Sequence, residues 1–208
     1  MITQEFRYLK PNRELRELNI LSCIGEEKRL SQHRLAVRAG ISSAMTHNYM
    51  KDFVRRKLVE MKGTTNRTIT YFLTDKGRGY RTRLLLETST EIIQLYTFTK
   101  MEFIKKLEAF SAQGIRNVAL FGAAETGEVV CRAAQEIPLH IVAVVDNDTE
   151  KIGRPFYGEF VVRPPCLLET LDIDGVIITS FANQEAIYQQ VSHLEKEGVR
   201  VLRLGPAS

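Results

Sequence analysis

Two sets of residues in this sequence have types and spacings that chemistry could use. The first begins with Gly122-Ala123-Ala124-Glu125-Thr126-Gly127, which follows the apolar run Val118-Ala119-Leu120-Phe121 and precedes Glu128-Val129-Val130. That order reads as strand, glycine turn and helix, the arrangement that offers helix N-terminal N–H groups to an anion. Gly122 permits the tight turn, Ala124 leaves little bulk beside a phosphate, and Gly127 lets the helix pack close to the strand. The second glycine of the usual dinucleotide fingerprint is replaced here by Ala124. Asp146 lies 24 positions after Gly122 and ends the apolar run His140–Val145, where an acid accepting hydrogen bonds from a ribose diol belongs. It also suits a cap after a strand. Asn147 stands beside it, and Ser180 and Asn183 follow the run Gly175–Thr179, able either to line the same crevice or to cap the next helix.

The second set is Ser42, Ser43, Thr46, His47, Asn48 and Lys51, followed by Lys62, Asn66 and Arg67 near a turn-rich tip. Short polar side chains and then a cation on one helix face suit close approach to base edges, while cations at a hairpin tip suit phosphates. Catalytic groupings are missing from the pattern. His140 has no nucleophile at a useful spacing, Tyr188 is followed four positions on by Ser192 rather than Lys, and Cys23, Cys131 and Cys166 are far apart without a C-x-x-C pair. The reading is therefore a binding protein and not an enzyme, with no metal site and no disulfide.

The positioning elements follow from periodicity. Glu14–Ile24 repeats Leu15, Leu18, Leu21 and Ile24 at helical spacing; a second helix runs from the N-cap Ser31 to Gly40; a third, capped by Ser42, covers Ser43–Lys57 with Met45, Tyr49, Phe53 and Val54 turned inward. Leu58–Lys62 and Thr68–Leu73 alternate around Gly63–Arg67, which predicts a β-hairpin. From Thr74 to Phe110 a long helix carries more apolar residues than one small domain can cover, which fits pairing with a second copy or docking onto its own C-terminal domain. Residues 115–205 read as β-α-β-hairpin-β-α-β. The expected fold class is α/β overall, with a winged helix over 1–83, a linker or dimerisation helix over 84–111, and a small parallel Rossmann-like half-domain over 112–208.

Leu35-Ala36-Val37-Arg38-Ala39-Gly40-Ile41-Ser42, Arg56-Lys57-Leu58-Val59-Glu60 and Tyr71-Phe72-Leu73-Thr74-Asp75-Lys76-Gly77 resemble the winged-helix domains of MarR-type regulators, in which an L-T-x-K-G phrase follows the wing. The resemblance covers about residues 10–80 and implies binding of double-stranded DNA by a homodimer. Residues 146–161 resemble a D-x-D-x-x-K-x-G segment of small Rossmann-like domains in CoA-binding and nucleotide-sugar-associated proteins. That implies a nucleotide-type ligand: a nucleotide-sugar, NAD(H) or CoA.

Charge divides the same way. Residues 1–111 hold 21 Lys and Arg against 12 Asp and Glu, net +9, and residues 112–208 hold 8 against 13, net −5, so a polyanion partner belongs with the first half. No apolar run reaches the roughly 18 residues of a membrane span, and Met1–Arg7 lacks a signal-peptide core, so a cytoplasmic transcription regulator is expected. Two alternatives stand beside it: a nucleotide-sugar or dinucleotide enzyme with an added winged helix, and a C-terminal domain that serves only for dimerisation.

Overall fold

The computed structural model describes residues 11–27, 30–63 and 69–205. The chain divides into two compact units, Met1–Gln94 and Leu95–Ser208, with the division falling inside one long helix.

In the first unit, α1 (Arg13–Glu26), α2 (Gln32–Ala39) and α3 (Ser43–Arg55) precede an antiparallel pair, β1 (Val59–Lys62) and β2 (Thr70–Leu73). Each helix begins where a side chain satisfies an orphan N–H. Asn12 accepts from Leu15 N at 2.8 Å, Ser31 from Arg34 N at 3.3 Å and Ser42 from Met45 N at 3.2 Å. Gly40 closes α2 in the left-handed region at φ 64°, which turns the chain into α3. The core comprises Ile20, Leu21, Leu35, Met50, Phe53, Leu58 and Tyr71, all buried. This is a winged helix: three helices and a two-stranded wing whose register pairs Val59 with Leu73 and Lys62 with Thr70.

Two expectations change here. α3 stops at Arg55 rather than Lys57, because Lys57 adopts φ 57° and cannot continue a right-handed helix. Val54 is not inward: it is 41% exposed, and Met50 fills the core with Phe53 instead. After the wing, α4 (Asp75–Ser111) is a single helix of 37 residues.

The second unit is built on a four-stranded, wholly parallel sheet of order β4-β3-β7-β8, formed by β3 (Asn117–Phe121), β4 (His140–Val145), β7 (Gly175–Ile178) and β8 (Arg200–Arg203). α5 (Glu125–Ala134) links β3 to β4, and α6 (Gln184–Val191) with a 3-10 turn (Ser192–Glu197) links β7 to β8. A short hairpin, β5 (Pro155–Phe156) and β6 (Phe160–Val161), intervenes. Both faces of the sheet are covered, as a parallel sheet requires. Val118 and Leu120 pack with Phe103, Leu107 and Phe110 of α4 and Val130 and Cys131 of α5; Ala119 and Phe121 pack with Ile187 and Val191 of α6. α6 ends at Val191, where the chain tightens to 3-10 geometry before Gly198 at φ 95°.

Candidate nucleic-acid interface and ligand pocket

At about 100° per residue, α3 buries the face that carries Thr46, Met50 and Phe53. The opposite face exposes Ser43, Ala44, His47, Asn48, Lys51 and Arg55, and its N-cap Ser42 is exposed too. Thr46 is therefore corrected out of the base-reading set. It is 0% exposed, and its hydroxyl donates to the Ser42 carbonyl at 3.0 Å, so it reaches no ligand. Sequence reasoning passed over Ala44 and Arg55, which share the exposed face; the same helical phase that buries Thr46 would have found them. Arg55 is 81% exposed and ion-paired with Asp52. Lys62 ends β1 in solvent, with its ammonium 5.3 Å from the centre of the Phe72 ring. Asn66 and Arg67 lie outside the described residues.

In the second unit the connections from β3 and β7 leave in opposite directions across the sheet, so a crevice opens between their carboxyl ends. A cavity of about 500 Å³ occupies it, in the range of small-molecule sites. Gly122, Ala124, Asp146, Asn147, Ser180 and Asn183 line it together with Asp148, Lys151, Thr179 and Gln190. Gly122 holds φ 122°, and a Cβ there would sit 2.7 Å from Thr179 Oγ1 and 3.2 Å from Ser180 N, so both conformation and space call for glycine. Thr179 Oγ1 lies 3.0 Å from Phe121 O and 2.6 Å from Gly122 O, tying the ends of β3 and β7 together.

Four of the expected residues do not line the cavity. Ala123 is buried and contributes its N–H to Asp146; Gly127 is buried where a Cβ would meet Gly122 O at 2.7 Å and the Phe156 ring at 3.0 Å; Thr126 is half-buried in the first turn of α5; Glu125 opens instead onto a neighbouring groove with Glu128, Arg132 and Tyr157. The N-cap Ala124 gives α5 no side-chain cap.

Asp146 is more constrained than the sequence implies. Oδ2 accepts from Ala123 N at 2.7 Å and Lys151 Nζ at 3.1 Å, and Oδ1 accepts from Asp148 N at 2.9 Å. Burial pushes its carboxyl up, but the N–H groups of Asp148 and Ala123 and the Lys151 ammonium outweigh that and hold the pKa below the ordinary carboxylate value. The carboxylate staples the β3–α5 turn to the loop after β4, which leaves little capacity for a bidentate grip on a diol. Lys151 is brought to the cavity by the turn that follows Asp146. Asn147 Nδ2 donates to Gln190 Oε1 at 3.1 Å across the cavity rim.

Cys131 offers no nucleophile, because burial pushes its thiol up to about 12. Among the described residues no cluster of His, Cys, Asp and Glu could hold a metal ion, and no helix is long and apolar enough to cross a membrane.

Comparison with known families matches residues 13–60 to a winged helix-turn-helix DNA-binding domain and residues 114–202 to the N-terminal domain of C2185-like proteins. No curated protein matches the chain. Among solved structures, the PcaV transcriptional regulator of Streptomyces coelicolor is 21% identical at a TM-score of 0.34, over 36% of this chain and 54% of its own. The MarR family transcriptional regulator SPO1453 of Silicibacter pomeroyi is 20% identical at 0.34, over 39% and 59%. UDP-D-quinovosamine 4-dehydrogenase of Vibrio fischeri is 23% identical at 0.36, over 43% and 77%. The chain thus spans little more than half the length of the two regulators.

Proposed function

We propose that this chain is a cytoplasmic, MarR-like transcription regulator, without enzymatic activity, whose winged helix reads double-stranded DNA and whose Rossmann-like C-terminal domain senses a nucleotide-type ligand. The observation that carries the reading is the exposed face of α3. A helix entered through the tight Gly40 turn presents Ser43, His47 and Asn48 and then Lys51 to solvent, on a winged helix whose sequence half is basic. Ser42 and Lys62, with Asn66 and Arg67, complete the contact set.

The sensing half of the proposal rests on the crevice at Gly122, Ala124, Asn147, Ser180 and Asn183. With Asp146 engaged by its own chain, the anionic part of a nucleotide-sugar, NAD(H) or CoA is assigned to Lys151 and the uncapped start of α5. Homodimerisation is assigned to α4, which exposes Leu85, Leu86, Ile92, Ile93 and Phe98 at 50% or more.

The test is thermal unfolding of the full chain against NAD+, NADH, CoA and nucleotide-sugars, followed by DNA binding with and without any hit. A ligand at 100 times its Kd stabilises by about 2.7 kcal/mol. A shift with one member, and an altered DNA affinity in its presence, supports sensing. No shift across the panel overturns the sensor and leaves the DNA reading standing.

A further inference from the structure

In the L-T-x-K-G segment at Leu73–Gly77, Thr74, Lys76 and Gly77 all meet the backbone at the end of α3, whereas Asp75 faces solvent and pairs with Arg78. Thr74 Oγ1 lies 2.8 Å from Lys57 O and 3.2 Å from Leu58 O, and it accepts from Gly77 N at 2.9 Å, so one hydroxyl caps α4 and meets the chain leaving α3. Thr74 N donates to Leu58 O at 3.1 Å. Lys76 Nζ donates to Arg56 O at 3.1 Å, a cation on a carbonyl left open by the helix end. Gly77 has no alternative: a Cβ there would fall 1.9 Å from Leu58 O.

One turn further on, α4 meets α3 a second time through a buried ion cluster. Glu17 of α1 is 1% exposed. Its Oε2 accepts from Arg56 Nη1 at 3.0 Å and from the Tyr80 hydroxyl at 2.7 Å, and its Oε1 accepts from Arg13 Nε at 2.9 Å. Arg56 also donates to Asp52 at 3.1 Å and lies over the Tyr80 ring at 4.6 Å. A buried carboxylate with three donors is directional and costly to half-break, so it fixes the angle between the helices that supply those donors more sharply than apolar packing does.

We propose that Thr74, Lys76 and Tyr80, with Glu17 and Arg56, form a joint that sets the angle of the recognition helix α3 against the start of α4, so that they are positioning residues for base reading without touching DNA. This rests on the proposed DNA reading. It makes a distinction that a purely stabilising role does not. A misaligned α3 loses base contacts, which need angstrom placement, and keeps phosphate attraction, which does not.

Tyr80→Phe removes one hydroxyl and keeps the ring under Arg56. The full-length variant is tested on the duplex that the wild type recovers by in vitro selection and on poly(dI-dC). The expected result is affinity for the selected duplex about tenfold lower, with affinity for poly(dI-dC) and the salt slope unchanged. Glu17→Gln, similar in shape but uncharged, should act in the same direction. Equal losses on both DNAs that track a lower melting temperature overturn the joint and leave a structural cluster. Unchanged affinity on both also overturns it while leaving the DNA reading intact. A wild type that selects and binds no duplex overturns the DNA reading, and the joint with it.

Discussion

Replacing Asp146 by Asn tests whether this residue is a staple of the fold rather than a free ligand acceptor. Asn keeps one carbonyl oxygen but turns an NH2 toward a donor, so either Ala123 N or Asp148 N loses its acceptor and faces another donor. Loss of one hydrogen bond to a charged group, with a buried donor left open, costs about 2–4 kcal/mol. The Lys151 contact adds at most about 1 kcal/mol, since that side chain is 37% exposed and its pairing is screened. The pH dependence supplies an independent check. A carboxylate held below its unfolded pKa contributes stability that is fully present above the unfolded value and is lost as pH falls through the folded one. The gap between wild type and Asp146→Asn should therefore be largest near neutrality and narrow steadily on acidification through the carboxylate range. Urea unfolding of the full chain, monitored across pH, measures both. A variant within about 0.5 kcal/mol of wild type at pH 7, or a gap that stays constant down to acid pH, refutes the reasoning.

Asn48→Ala should relax base preference, whereas Lys51→Ala should weaken binding to all duplexes and reduce the salt slope by about 1, both read from titrations at several ionic strengths. Thr46→Val should leave base preference unchanged and alter stability by about 1 kcal/mol, since the hydroxyl serves only the Ser42 carbonyl; a change in preference would return Thr46 to the reading face. Ile92→Glu with Ile93→Glu, on side chains 52% and 61% exposed, should lower the sedimentation coefficient from dimer to monomer and take with it the part of the melting temperature that pairing supplies. An unchanged sedimentation coefficient would remove α4 as the pairing surface.

The local chemistry was legible in the sequence. Ser31, Ser42 and Gly40 sit at the helix ends where capping rules put them, and the strand-turn-helix at Gly122 is where periodicity places it. Phase was harder to read. Polarity alone puts Val54 inward and Thr46 outward, although Thr46, Met50 and Phe53 share an i, i+4, i+7 stripe that decides the matter. What sequence could not supply was contact between distant backbone groups. The donors to Asp146 include an N–H 23 residues earlier, and Lys151 reaches the cavity only because the turn after β4 doubles back. The partners of Glu17 lie 4, 39 and 63 residues away. Such a cluster exists only once three helices have met.

The middle of α4 has a consequence for when that helix is rigid. Residues 90–98 are all exposed, and Thr88, Thr90, Ile92, Ile93, Thr97 and Thr99 are β-branched, a type that loses side-chain freedom in a helix. Thr90 and Thr99 also turn their hydroxyls back to the carbonyls of Leu86 and Leu95. Helices draw most of their stability from tertiary packing. In a lone copy this stretch should exchange its amide hydrogens far faster than the anchored ends of the same helix. Covering it would slow that exchange and stiffen the whole rod. Were a second copy to do the covering, as proposed above, the stiffness of this helix would depend on protein concentration, a property of the population rather than of any single fold.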